Sequence, residues 1–176
     1  MRAVKVLAAV TALTSVGGAG SAALAAAKPA GGPIQVFVSS IGNVKAKILF
    51  TGAIGDYGTA LTVNKSGKVD PNGDYQKVTL KKGGFWVNAT ALDKKLSQVT
   101  PVVNSATCSV VVSGSAQTTV YRGSGAYAGI SGRVKITVIF AGIAPRLPSG
   151  ACNAGPNVHV RGQYQSITGT GRVAFS

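Results

Sequence analysis

Along most of the chain, apolar and polar residues alternate one by one. At 44–50, Val44, Ala46, Ile48 and Phe50 share one face while Lys45 and Lys47 take the other. At 77–81, Val78 and Leu80 oppose Lys77, Thr79 and Lys81. At 133–140, Val134, Ile136, Val138 and Phe140 oppose Arg133, Lys135 and Thr137, and at 158–165 Val158, Val160 and Tyr164 oppose His159, Arg161, Gln163 and Gln165. A period of two is the signature of a strand with one wet and one buried face. Weaker runs of the same kind lie at 34–39, 59–63, 84–90, 107–113, 117–122 and 167–175. Turn-forming residues separate them, as in Asn64-Lys65-Ser66-Gly67, Asp70-Pro71-Asn72-Gly73-Asp74, Lys82-Gly83-Gly84 and Pro148-Ser149-Gly150. One segment differs. In Ala91–Val99, Leu92, Leu96 and Val99 recur at helical spacing, with Pro101 just beyond, which predicts a single short helix.

Eight to ten short strands joined by hairpin-length loops would expose long edges in an open sheet. The expected fold is therefore all-β, a single antiparallel barrel of about eight strands, with a β-sandwich as the alternative. Glycines within the strand patterns, among them Gly132, Gly142 and Gly162, suit the tight bends of a small barrel. Composition agrees. Val, Ile and Thr supply about a quarter of the 176 residues and there is no Glu, which argues against a helical bundle.

The first residues read as an export signal. Met1-Arg2 and Lys5 give a positive start, Val6–Leu13 an apolar stretch, and Gly17–Ala27 a run of small residues with A-x-A sites ending at Ala25 or Ala27. The apolar stretch is short for a bilayer span. The expected organisation is a cleaved signal peptide over 1–27, a flexible leader over 28–33 and one barrel domain over 34–176, with no transmembrane segment after cleavage. A secreted or cell-envelope location follows. Outside the cytoplasm the only two cysteines, Cys108 and Cys152, are expected to form a disulfide. Closing a loop of that length stabilises by about 3–4 kcal/mol in the chain-entropy account. With a single histidine, His159, the chain lacks the ligand set of a zinc site, and no metal or cofactor is expected.

The densest local signal is Tyr121-Arg122-Gly123-Ser124-Gly125-Ala126-Tyr127-Ala128-Gly129-Ile130-Ser131-Gly132. A dinucleotide fingerprint would need a helix next, and Arg133–Phe140 has the strand pattern instead. Read as G-x-G-x-aromatic-x-G-x-x-G between two strands, the segment resembles a hairpin of the allene oxide cyclase and dirigent-like barrels. In that reading Gly123, Gly125, Gly129 and Gly132 let the chain double back and Tyr127 plugs one end. Phe50–Thr59 and Ser166–Phe175 look like an early and a closing strand of such barrels, and the whole is similar to small exported proteins common in actinobacteria. The resemblance implies a fold; chemistry belongs to sites. The cyclases use a glutamate that this chain lacks, and the dirigent pocket residues find no clear counterpart.

Candidate site residues are few. Asp56 and Tyr57 are the nearest to a pocket pair, although an Asp among glycines first reads as a turn residue. Trp86 and Asn88 share a strand face opposite Phe85 and Val87. If Phe85 faces inward, Trp86 lies outside on a contact surface; a one-residue slip would put Trp86 in a pocket. No catalytic set emerges from one His and four Asp. His159 reads as an exposed strand residue.

Charge is the remaining clue. Eighteen Lys and Arg against four Asp give +14, or +12 without Arg2 and Lys5. Lys45, Lys47, Lys77, Lys81, Arg133, Lys135 and Arg161 fall on wet strand faces, a surface that attracts anionic lipids or envelope polymers. Nucleic acid is a poor match, with one Trp and no interleaved aromatic run. The expected function is an exported, non-enzymatic basic barrel that binds a small apolar molecule inside or an anionic envelope surface outside. The alternatives are a cyclase- or dirigent-type enzyme and a structural barrel filled by its own side chains.

Overall fold

The alternating residues close into a wall. The computed structural model describes residues 30–40, 42, 44–155 and 158–176; the signal-peptide reading of 1–27 lies outside them. The strands are β1 (Gly32–Ser40), β2 (Lys45–Gly52), β3 (Asp56–Val63), β4 (Tyr75–Leu80), β5 (Gly83–Asn88), β6 (Val102–Asn104), β7 (Ser109–Gly125), β8 (Ile130–Ile143) and β9 (Gly162–Phe175). Among the described residues one helix, α1 (Thr90–Ser97), connects β5 towards β6. Strands β1 to β5 pair in sequence, β7, β8 and β9 follow, β9 returns to β1, and β5 pairs with β7. The result is a closed eight-stranded antiparallel barrel with β6 added on β7, so the barrel has no free edge. The closing seam carries an irregularity between Gly84 and Trp86. Among the described residues no helix is long and apolar enough to cross a membrane.

Phase decides the interior. Ile34 and Val36 of β1, Ile48 and Phe50 of β2, and Val78 and Leu80 of β4 are buried in one cluster with Phe85, Val120 and Val134. Lys45, Lys47, Lys77, Lys81, Arg133, Lys135 and Arg161 are all exposed. Edge-to-face contacts link Phe50 to Phe85 at 5.3 Å and Phe85 to Tyr127 at 5.7 Å. Such pairs add about 0.5–1.5 kcal/mol beyond area burial.

Four expectations need adjustment. Residues 107–113 and 117–122 belong to one long strand, β7, because β8 offers a continuous partner from Ser109 to Val120. The strand expected at 158–165 begins only at Gly162. Its partner β8 ends at Ile143, opposite Gly162, so Val158–Val160 have no neighbour to pair with. His159 is exposed in that irregular stretch. Within β9 the phase is fixed by Gly169 and Val173 inside, which turns Tyr164 outward, 65% exposed. The leader is shorter than expected, since Gly32 and Pro33 already pair with Val173 and Arg172.

Strands β7, β8 and β9 have 17, 14 and 14 residues, against 6–9 for β1 to β5. They run past the barrel at one end and form a flange. Cys108, just before β7, is bonded to Cys152 in the β8–β9 connection. Cys108 is buried with Val110 and Ala144 in a small separate core. Arg146 reinforces the same place by donating to the carbonyls of Ala106 and Gly150 at 2.6 Å each. The disulfide thus ties a long connection to the flange, away from the main core. Replacing both cysteines, Cys108→Ser with Cys152→Ser, is expected to lower the thermal midpoint by about 5–10 °C. Calorimetry in oxidising buffer checks this, and an unchanged midpoint would remove the disulfide from the account of stability.

Candidate functional site

The two ends of the barrel are built differently. At one end the β7–β8 hairpin folds inward and carries Tyr127, which is fully buried. Gly123 makes this possible: a Cβ there would overlap the carbonyl oxygen of Tyr127. Gly129 turns the chain at φ +76°, a conformation that side chains other than glycine rarely adopt. The Tyr127 hydroxyl donates to Asp56 Oδ2 at 2.7 Å. The same carboxylate accepts the backbone N–H of Lys82 at 3.0 Å and, on Oδ1, that of Tyr57 at 2.7 Å. Asp56 is only 5% exposed. Burial alone would raise its pKa, but the hydrogen bonds from Tyr127 and the backbone outweigh it and hold the carboxyl below its ordinary value. The Tyr127 phenol is pushed up by burial and by this same carboxylate, so it remains a donor. Asp56, first seen as a turn residue, is the first residue of β3 and part of a plug. Tyr57 points outward, 58% exposed, under the Lys81 ammonium.

The opposite end is open. A cavity of about 310 Å³ lies above the aromatic cluster, with walls that include Val36, Val38, Ile48, Val78, Val87 and Ile136. Its roof is α1. Ala89, Leu92, Asp93 and Leu96 line the cavity at spacings that form one helical face. Leu96 reaches in over β7 because position 114 is glycine; a Cβ there would sit 2.8 Å from Leu96 Cδ2. Asn88, at the end of β5, accepts the backbone N–H of Thr90 at 3.0 Å and steers the chain into the helix. Its role is therefore to set the roof.

Polar groups in the cavity are sparse and placed. Thr62 and Gln76 bond to each other, the Gln76 amide donating to Thr62 Oγ1 at 3.1 Å. Thr118 donates to the Val134 carbonyl at 2.9 Å. Lys45, Asp93 and Gln165 stand at the rim. Burial and the nearby Asp74 carboxylate raise the Asp93 carboxyl to about 6, although much of the residue stays in solvent. Thr62 and Gln76 escaped the sequence reading, yet the signal was present. Gln76 is in phase with Val78 and Leu80, and Thr62 with Ala60, so alternation alone directs both inward.

Trp86 lies on the outer wall, opposite in phase to the buried Phe85. Its ring is 6.5 Å from that of Tyr121, and the Arg122 guanidinium sits 5.6 Å from both rings. Of the sequence candidates, Asp56 and Tyr127 come together in the plug, while Tyr57, Trp86 and Asn88 do not share a site with them. Comparison with protein-family models, curated proteins and solved structures returns no match.

Two titration behaviours follow. Because Asp56 is held below its ordinary value, its contribution is present at neutral pH and is lost as pH falls through the folded value. Tyr127→Phe is expected to cost about 1.5–3 kcal/mol at pH 7, with the gap to the parent narrowing below about pH 4. Denaturant melts at the two pH values measure it; a gap independent of pH would mean the carboxylate is not the partner that matters. For Asp93 the sign is opposite. A raised value favours the folded state in acid and loses that advantage as pH rises through about 6. Asp93→Asn should therefore raise the midpoint at pH 7 and leave it unchanged near pH 3.5.

Proposed function

We propose that the protein is an exported, non-enzymatic binding protein that holds a small apolar molecule inside its barrel. The observation that carries this reading is the asymmetry of the two ends: one is plugged by Tyr127, the other leaves about 310 Å³ of aliphatic-walled space under a helix. Ligand sites are concave, mostly apolar and fixed in orientation by a few polar groups, with volumes of about 300–1,000 Å³. This cavity is at the small end of that range. Its walls suit a hydrocarbon body, and the Thr62–Gln76 pair offers a hydrogen bond to one uncharged polar group, such as a hydroxyl or carbonyl.

The resemblance to allene oxide cyclase and dirigent-like barrels supports the same idea, since those barrels are understood to receive hydrophobic molecules. The disulfide and the export-like start of the chain support action outside the cytoplasm. Entry would pass α1, which leans on the mouth through Leu92 and Leu96 and buries only Leu92 fully.

The test is a titration with a neutral apolar fluorophore, N-phenyl-1-naphthylamine. Saturable binding at one site per chain is expected. Val38→Phe with Val87→Phe adds bulk at two half-buried wall positions and should weaken binding at least tenfold, with circular dichroism and midpoint little changed. Unaltered affinity in this double variant, or absence of saturable binding by the folded parent, would falsify the reading.

A further inference from the structure

The flange has an outer face as well as the inner one on which α1 leans. Register lines up Val102 of β6, Val111 of β7, Ala141 of β8 and Tyr164 of β9 in one row across it. Ile139 and Ile143 flank that row on β8, and Phe37 of β1, opposite Thr168, extends the face onto the barrel. The six large side chains of this face are each at least 39% exposed. Their phase is the outward one, because Val36, Val110, Val134 and Val173 on the same strands are buried. A contiguous apolar surface of this kind marks a place of contact.

Charge is arranged around the face and not within it. No charged residue occurs in 102–121, 136–145 or 162–171, the flange stretches that build it. Its border is cationic. Lys135 lies on the same side of β8 as Thr137 and Ile139, Lys47 stands opposite Ser39 near the end of β1, and Arg161 precedes β9. All three are exposed. The four Asp are elsewhere, on β3, in the β3–β4 turn and on α1, so none lies on β1, β2 or β6 to β9. The face also adjoins the cavity. Beyond the pair Val38–Ile167 the strands β1 and β9 part. An outer groove of about 500 Å³ lies there between Phe37, Tyr164 and Thr168, and Val38 and Ile167 line both this groove and the cavity inside.

We propose that this face docks on an anionic lipid bilayer, its apolar side chains entering the interfacial layer and Lys47, Lys135 and Arg161 meeting the headgroups. A bilayer uses both parts of the pattern. Apolar burial anchors the centre, and anionic headgroups attract the rim. Tyr164 joins an apolar ring to a hydroxyl tip, the kind of side chain that settles at headgroup depth. A soluble polyanion would find no cation within the face and would leave its six apolar side chains in water. A second copy of the chain would set the border cations of two strongly basic molecules against each other. The docking face stands on these observations alone. Only its use, to bring the cavity wall to a molecule dissolved in the bilayer, rests on the reading given above.

The test is co-flotation of the protein with vesicles of phosphatidylcholine alone or with about a third phosphatidylglycerol. The anionic vesicles are expected to carry the chain, with affinity falling as salt rises. Tyr164→Ser with Ile139→Thr should weaken this at least tenfold, leaving the midpoint and apolar-probe binding unchanged. Lys47→Gln with Arg161→Gln should remove the preference for anionic over neutral vesicles. On the parent chain, a spin-labelled lipid should broaden the methyl signals of Val102, Val111, Ile139 and Ile143. Val69, an exposed valine of the β3–β4 turn, should stay sharp, and so the contact is tested even if a variant folds poorly. The proposal is overturned if anionic vesicles do not carry the parent, if the Tyr164 and Ile139 variant floats as well as the parent, or if Val69 broadens as much as Val111. It is equally overturned if the lipid-free parent sediments as a dimer that this variant abolishes. Uptake of N-phenyl-1-naphthylamine without vesicle binding would strike the docking face and leave the cavity reading standing; vesicle binding without uptake would do the reverse.

Discussion

A buried carboxylate that finds its partners in hydrogen bonds, not in a cation, organises this barrel. Asp56 receives one hydroxyl and two backbone N–H groups within 3.0 Å. Each donor comes from a different place in the chain: Tyr127 from the β7–β8 hairpin, Lys82 from the β4–β5 turn, and Tyr57 from the start of β3. An ionised group at 5% exposure is costly unless its lone pairs are filled, so the three segments must meet in one arrangement. That requirement pulls the hairpin into the barrel, sets Tyr127 against Phe85 and Phe175, and closes one end.

Closure at that end leaves the functional asymmetry. Large aromatic side chains fill the plugged half, while the other half is walled by Val and Ile and roofed by a helix of only eight residues. The flange of β7, β8 and β9, stapled by Cys108–Cys152, holds the roof's other support in place, because α1 leans on β7 at Gly114. Outside, the same strands present cations in phase with Trp86. One alternating sequence thus writes an apolar cavity on one face and a basic wall on the other.

Alternation made the fold legible. Val44–Phe50, Lys77–Lys81 and Arg133–Phe140 each occupy the faces their period implied, and Leu92 and Leu96 marked α1. The glycine-flanked Tyr127 stood out locally, but its partner could not be read, since Asp56 lies 71 positions away and looks like an ordinary turn residue. Register across the closing seam is the other illegible quantity. Trp86 beside Tyr121 and Arg122 depends on the pairing of β5 with β7 and on the irregularity between Gly84 and Trp86, which no short-range pattern encodes. Pairing also decided where the run at 158–165 failed, because a strand pattern without a neighbour remains irregular.

The most direct measurement of the central claim is a methyl NMR titration of the protein with a neutral medium-chain alcohol such as 1-octanol. Saturable shifts confined to Val38, Val87, Leu92, Leu96 and Ile136, with the outward Leu49 and Val111 unaffected, are what an occupied cavity beneath α1 predicts. Shifts spread over the outer wall, or inner methyls that do not move while the alcohol is in excess, would show a filled barrel and contradict it.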